Sequence, residues 1–518
     1  MEKVWTAVAA LMRRSRPAFY TAIGLGALLL YALTVQRGFS WQDSGEFQYR
    51  ILIGDYHWCS GIARAHPLYI AAARGWMRLF PHRFAAGAVN LFSGVGMAVA
   101  VAFLAAGVRR VTGSLRAACV AAVLLAFAHM AWWLATIAEV YTWSLAFLLA
   151  EVYAALRFFE RRTLPRLALL FFLNGLHLAV HNFALLDTAV WGIGLLAVWL
   201  RGEKEPDRAS LPVALLTAGA AWLAGAGWIL WLAVEHFLQT RSLAGTLQSV
   251  LFGHEFITYV LGTRTPKWKL VLGNYALTAV SFLNPCWLLA AAGLRRMGER
   301  TAFRNALVGL TAVHVIFWCR YFVGDQATFI LPTLGLLAWW AGVGAARLEE
   351  LGKRRVLTVG MAAGVVCACL LPWIAAQALE RADFHSAARW RTLEGRKEYA
   401  YWLIPWKQNE SSAQDFVTAV GKQLQTGDLL FADNTAAAPL LAARTAGAIP
   451  DDLFLSSYLN KPDEAETYRL LGQARRAYIV SPVEGYFISD TLASPSFSFE
   501  KEGILYRIRN QHPADSRQ

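Results

Sequence analysis

The sequence predicts a mainly α-helical, polytopic membrane bundle of about eleven spans with a small C-terminal α/β domain. Three observations predict it. The 518 residues are 57% hydrophobic and only 16% charged, whereas soluble domains carry about a quarter charged residues. The apolar residues come in blocks long enough to cross a bilayer, which takes roughly 20 residues. From about residue 380 these blocks stop, and segments of mixed polarity follow.

The blocks fall near 17–35, 84–106, 117–136, 139–158, 166–183, 184–200, 211–233, 268–292, 303–320, 328–346 and 355–378. The first lacks a small-residue cleavage site and reads as a retained helix rather than a signal peptide. The blocks 166–183 and 184–200 are nearly continuous, so the count can slip by one there. Basic residues orient the chain. With the N-terminus in the cytoplasm, every inner connection is basic, as at Arg109, Arg110 and Arg116, at Arg161 and Arg162, and at Arg347, Lys353 and Arg354. The outer connections 133–140 and 182–184 carry no lysine or arginine, although the long outer loop 36–83 carries several. The 21 tryptophans suit the membrane–water boundary. An odd number of spans then places the C-terminus outside. The bundle is assigned residues 1–379 and the outer domain residues 380–518.

Within the outer domain, "SSAQDFVTAVGKQLQ" has helical periodicity, "GDLLFAD" reads as a turn and a short buried strand, and "NTAAAPLLAARTAG" as a helix. "RAYIVSP" and "GILYRIRN" read as further strands. The formal charge of +14 does not point to nucleic acid, because the basic residues sit in short loops as topology signals and form no stripe interleaved with aromatics. Five of the six cysteines lie in or beside apolar blocks, and no pair has zinc-like spacing.

Polar groups near a bilayer are costly, so they point to function. "WQDSGEF" puts Asp43 and Glu46 just beyond the first block, and Gly45 between them predicts a turn with an unusual backbone angle that aims both acids at one cleft. Glu139 sits in a very short outer connection beside Tyr141. In "NGLHLAVHNFALL", His177 and His181 are four apart and share a helix face, as bundle histidines or as a metal pair, with Asn182 next to the second. "CRYFVGDQ" offers Arg320, Tyr321 and Asp325 at another outer connection; Arg320 pairs with Asp325 or holds a phosphate. His66-Pro67 starts a helix, and Leu68, Ile70, Ala71, Trp76, Met77 and Phe80 after it form an apolar face beside Arg74, Arg78 and Arg83, as in a helix lying on the outer membrane surface. All these groups share one side of the membrane, which predicts a site at the outer face.

The segments "WQDSGEF", "AHPLY", "TIAEVYTWSLAFLL", "GLHLAVHNFAL" and "YFVGDQATFILPTLGLLAWW" resemble the membrane proteins described as protein O-mannosyltransferase-like, formerly a domain of unknown function. That family is similar to the GT-C glycosyltransferases. The resemblance covers most of the first 350 residues and keeps the order of the motifs. It implies transfer of a sugar, mannose being one candidate, from a polyprenyl-phosphate carrier on the extracytoplasmic side, with inversion. It implies Asp43 as the catalytic acid of the first outer loop, with Glu46 as the second acid of the motif. Glu139 matches the acid of the second outer loop, which in some relatives binds a divalent metal ion or orients substrate. His181 matches a family histidine. The sequence departs from the family in the compressed His66-Pro67-Leu68-Tyr69 stretch and in Val180, where asparagine is frequent.

The sequence-based expectation is therefore an inverting glycosyltransferase. Asp43 takes the proton of an acceptor hydroxyl, on a protein or a glycolipid. Arg320, or Arg241 or Arg264 of the 234–267 loop, steadies the leaving phosphate, and His66, Tyr69, Tyr141, His181, Asn182, Tyr321 and Asp325 bind substrate. The short basic loops suggest a bacterial inner membrane. The alternative is a lipid-carrier transporter or an envelope scaffold. A transporter is expected to carry polar groups at the midplane and repeated halves, neither of which the sequence displays.

Overall fold

The computed structural model describes residues 15–200, 210–253, 268–296, 301–321, 323, 326–382, 393, 395–449, 454–457, 459, 461–483 and 486–510. The helices of the bundle are α1 (Arg16–Thr34), α2 (Gln42–Ile53), α3 (Pro67–Met77), α4 (Ala85–Thr112), α5 (Leu115–Ala126), α6 (His129–Ala135), α7 (Tyr141–Glu160), α8 (Leu164–Leu178), α9 (Ala184–Leu200), α10 (Leu211–Thr240), α11 (Leu243–Leu251), α12 (Trp268–Val280), α13 (Leu289–Arg296), α14 (Thr301–Arg320), α15 (Leu331–Glu350) and α16 (Arg354–Arg381). Among the described residues, seven helices are long and apolar enough to cross a membrane. Two bent pairs, α5 with α6 and the pair spanning 271–296, raise the count to nine. The apolar helices α8 and α9 have 15 and 17 residues, roughly 23 and 26 Å at 1.5 Å per residue, short of a hydrocarbon core about 30 Å thick. The eleven apolar blocks are thus all helical, but by length seven to nine of them span. The near-continuous pair is broken by the turn between Leu178 and Ala184.

Burial sorts these helices into a centre and a rim. The most apolar window of Gln326–Glu350 is 94% buried, whereas those of α1 and α16 are each 17% buried. Leucines and valines such as Leu25, Leu29, Val359 and Val366 stay exposed on the rim, as lipid-facing side chains do. Trp339 and Trp340 of α15 are fully buried. Gly107 of α4 makes room for the first: a Cβ there would lie 1.9 Å from its ring. Gly175 of α8 and Gly225 of α10 let two backbones touch, since a Cβ on either would lie 2.3 Å from the other helix's carbonyl oxygen.

The connections also sort into two ends. Ion pairs join Arg110 to Glu160 at 2.5 Å, Arg116 to Glu349 at 2.7 Å, and Arg296 to Glu350, gathering the basic loops at one end. The loops carrying Asp43, His66, Glu139 and His181 gather at the other, as the contacts described below require.

Beyond α16 the chain returns to that second end. His129 Nε2 lies 2.7 Å from the Leu403 carbonyl oxygen, Thr136 Oγ1 donates to Pro405 O (2.8 Å), Lys407 N donates to Thr34 O (2.7 Å), and Trp41 Nε1 donates to Ser412 Oγ (2.8 Å). The helix α17 (Glu398–Leu403) packs on α16, and the helices α18 (Ser412–Gln423), α19 (Asn434–Thr445) and α20 (Glu464–Gln473) flank a five-stranded sheet. Its strands are β1 (Asp428–Ala432), β2 (Phe454–Ser457), β3 (Arg476–Ile479), β4 (Phe497–Glu502) and β5 (Leu505–Asn510), in the order β2-β1-β3-β5-β4. β1 runs parallel to β2 and β3, while β5 is antiparallel to β3 and β4. β1 is buried along its whole length because both faces are covered: Leu429 and Phe431 pack with Ile479 and Ile508, while Leu430 and Ala432 join Ala436 and Leu440 of α19. The segments expected as β1, α18, α19, β3 and β5 match, and the sheet gains β2 and β4.

Candidate active site

The site begins with α2, at whose N-terminus Gln42 has φ 53°. The Asp43–Glu46 segment is the first turn of this helix and not the glycine turn expected from the sequence. Gly45 has no positive φ; its role is close approach. A Cβ at Gly45 would lie 2.2 Å from Ser40 O, and 3.1 Å from Ala438 Cβ and from Pro439 N. Hydrogen allows α19 of the C-terminal domain to press directly on α2.

The two acidic loops meet. Ser44 Oγ donates to Glu139 Oε1 at 2.9 Å. The Glu139 backbone is pinned to α4 from both sides: its N–H donates to Ser93 Oγ (2.8 Å), and Ser93 Oγ donates to the Glu139 carbonyl (3.1 Å). A buried amide network fixes the loop before α2: Gln48 Nε2 donates to Asn90 Oδ1 (2.9 Å), Asn90 Nδ2 to Gln36 O (2.9 Å), and Ser40 N to Gln48 Oε1 (3.0 Å).

The three acids occupy different environments. The Asp43 side chain is 45% exposed, with Arg64 Nη2 at 3.8 Å and Asn434 Nδ2 donating to Oδ1 at 3.3 Å. The Glu46 side chain is 2% exposed and lies 3.4 Å from Arg64 and 3.9 Å from Arg50. Glu139 is buried against Ser44. Asp43 is therefore the acid open to a solvent-borne or membrane-borne partner. Arg50 holds the following loop by donating to the carbonyls of Arg64 (3.0 Å) and Ala65 (2.5 Å).

The histidines form a second wall. His66 takes the left-handed conformation (φ 50°) before Pro67. Its Nδ1 lies 2.7 Å from Val180 O; since a carbonyl only accepts, Nδ1 carries the hydrogen. Burial holds this imidazole well below its usual range, and His181 and Arg50 push the same way. The His66 and His181 rings stack at 5.4 Å and 11°, and Tyr141 lies 5.2 Å from His181. His177 and His181 do not act as a pair: α8 ends at Leu178, so His181 turns out toward His66 while His177 points into the bundle.

The other expected residues scatter. Tyr69 is 1% exposed and packs with Phe47 and Phe92, so its helix α3 is seated on the bundle by Tyr69, Ile70 and Ala73. Asn182 Nδ2 donates to Leu251 O (3.2 Å), tying the turn to α11. Tyr321 is buried against Phe329, which also meets Tyr141. Arg241 and Arg320 are exposed at the C-terminal ends of α10 and α14. Arg264 and Asp325 lie outside the described residues. Two residues beside Asp43 were not expected from the sequence: Arg64, whose signal was its place two residues before His66 in the same loop, and Asn434, whose role comes from a distant part of the chain.

Among the described residues, Asp43, Glu46 and Glu139 do not form a three-ligand cluster, and arginines already flank the first two. The cluster that does form is Glu151, His177 and Asp187, inside the bundle. It is a second set of polar groups: Glu151, His177, Asp187 and His314 come from four separate helices, and only helix packing brings them together.

No family of known sequences matches this chain, and no curated protein matches it. Solved structures do match its fold. ArnT from Cupriavidus metallidurans bound to undecaprenyl phosphate superposes with a TM-score of 0.59 and 13% identity, over 96% of this chain and 99% of that one. Its apo form gives 0.55 and 14%, over 95% and 98%. The arabinofuranosyltransferase AftD from Mycobacteria gives 0.51 and 12%, over 96% of this chain and 40% of that longer one. At these identities the likeness is one of fold alone: the chain shares the membrane fold of ArnT.

Proposed function

We propose that this chain transfers a sugar from a polyprenyl-phosphate carrier to a hydroxyl group at the membrane face where its acidic loops gather. The observation that carries this reading is the exposed carboxylate of Asp43 beside the guanidinium of Arg64, in a fold shared with a protein solved with undecaprenyl phosphate. The isoprenoid tail lies along the lipid-facing helices, with its phosphate at the level of Arg64. Asp43 removes the acceptor's proton as the acceptor oxygen bonds to the anomeric carbon. The bond from that carbon to the phosphate oxygen breaks, the electron pair leaves with the phosphate, and one displacement inverts the centre. Arg64 is the guanidinium placed to steady the developing phosphate charge, ahead of Arg320 and Arg241. Glu139, held by Ser44, keeps α2 and α7 in register.

Mannose is the first sugar to test, because the motifs resemble those of O-mannosyltransferase-like proteins; the acceptor is a protein or glycolipid hydroxyl, and the membrane is a bacterial inner membrane with the site outward. A positioned base contributes roughly 10²–10⁴-fold. Asp43→Asn should therefore lower transfer from a synthetic polyprenyl-phosphate sugar by at least about a hundredfold, with the protein still inserted and monodisperse. Full activity in that variant removes Asp43 from the mechanism. Deletion cells that lose no glycan or glycoprotein would favour the scaffold or transporter alternative.

A further inference from the structure

Four ionisable side chains that the transfer reaction does not use meet inside the bundle: Glu151 of α7, His177 of α8, Asp187 of α9 and His314 of α14. Each side chain is at most 1% exposed. They lie inside the membrane-spanning bundle, where an uncompensated charge is costly.

Their geometry separates outward-held atoms from inward-facing ones. Glu151 Oε2 accepts from Asn174 Nδ2 (3.0 Å) and Trp191 Nε1 (2.8 Å). His177 Nε2 lies 2.7 Å from Ser144 Oγ, and Asp187 Oδ1 lies 2.8 Å from His314 Nε2. The remaining atoms, Glu151 Oε1, His177 Nδ1 and Asp187 Oδ2, converge within 4.8 Å of one another. His177 Nδ1 sits 2.9 Å from Glu151 Oε1 and 3.3 Å from Asp187 Oδ2. One nitrogen carries one hydrogen, which serves one of these oxygens; Asp187 Oδ2 has no hydrogen bond among the described residues, although it is fully buried.

We propose that Glu151, His177 and Asp187 bind one divalent transition-metal cation, with His314 orienting Asp187. Three ligand atoms from three helices face a common point, and each ligand is fixed from behind, as metal-binding imidazoles and carboxylates are. One imidazole and two carboxylates suit Zn²⁺ or Mn²⁺. Charge closes as well: two carboxylates and a neutral imidazole sum to −2, which the cation cancels in a region that tolerates no excess. The ion ties α7, α8 and α9 together directly beneath Tyr141 and His181. This inference stands apart from the proposed transfer reaction.

The test uses the full chain purified in detergent with a tag free of histidine. Metal content is measured by mass spectrometry before and after stripping with EDTA, followed by titration with ZnCl₂ and MnCl₂. The expected result is about one ion per chain, restored by one of the two salts together with a rise in Tm. Glu151→Gln, His177→Gln and Asp187→Asn should lose the ion. His314→Gln should weaken binding about 10- to 100-fold, and His82→Gln, at an exposed position, should retain it. If the ligand variants aggregate, titration of the stripped wild-type chain decides alone. Wild-type protein that takes up neither ion, or ligand variants that hold as much as the wild type, would overturn the proposal.

Discussion

Asp43 and Glu46 are three residues apart on one helix, yet they meet different surroundings, and surroundings set what each can do. Glu46 is enclosed between Arg50 and Arg64, whereas Asp43 keeps nearly half of its side chain open. The same logic applies to Lys407, which is 1% exposed and lies over the rings of Tyr401 and Trp133 at 4.8 and 5.5 Å. Burial lowers its pKa from 10.5 to about 7, with Glu410 opposing and Arg396 assisting. Between those values the unfolded chain binds the proton and the folded chain does not, so this residue makes stability rise with pH across that window. Lys407→Met should flatten the rise of Tm between pH 7 and 9 relative to the wild type. Parallel pH profiles for the two proteins would show that Lys407 stays charged in the fold.

At the level of elements, the decisive contact is α19 on α2. It exists because position 45 has no side chain: Ser40 O, Ala438 and Pro439 already occupy the space. Gly45→Ala puts a methyl group 2.2 Å from a backbone oxygen, which no rotamer change relieves. Overpacking of this kind costs about 1–3 kcal/mol. It should displace Asp43 from Asn434 and lower transfer at least tenfold, while α4, α7 and α15 stay folded. Circular dichroism and gel filtration check the fold, and an unchanged rate would mean that α2 can shift without consequence. The Gly175–Gly225 contact sets the spacing of α8 and α10 in the same way.

For the whole molecule, the fold places the C-terminal domain at the end that holds the acidic loops, and this can be tested covalently. A Cβ built on Gly38 lies 3.1 Å from Gln414 Cβ, a little closer than the roughly 3.5–4.5 Å of a disulfide, so a small outward shift of the backbone allows the bridge. Gly38→Cys with Gln414→Cys should form a bridge without added oxidant if that end faces an oxidising compartment, as the proposed orientation requires. Peptide mass spectrometry reads the link; free thiols that react only after the membrane is permeabilised would place that end in the cytoplasm. Much of this architecture was legible in the sequence. Apolar blocks fix where helices form, because a bilayer leaves unpaired backbone groups no partner. Basic loops such as those of Arg110 and Arg116 sorted the ends, and β1 and β3 announced themselves as short apolar runs. Asp43 and Glu139 stood out because acids beside a membrane are rare. What the sequence could not decide depends on contacts between distant residues. Gly45 looks like a turn until α19 is seen against it, and His177 and His181 look like a pair until the end of α8 separates them. Glu151, Asp187 and His314 lie in three separate apolar blocks. Helical periodicity records which face of its own helix each occupies, and only packing in three dimensions records what that face meets.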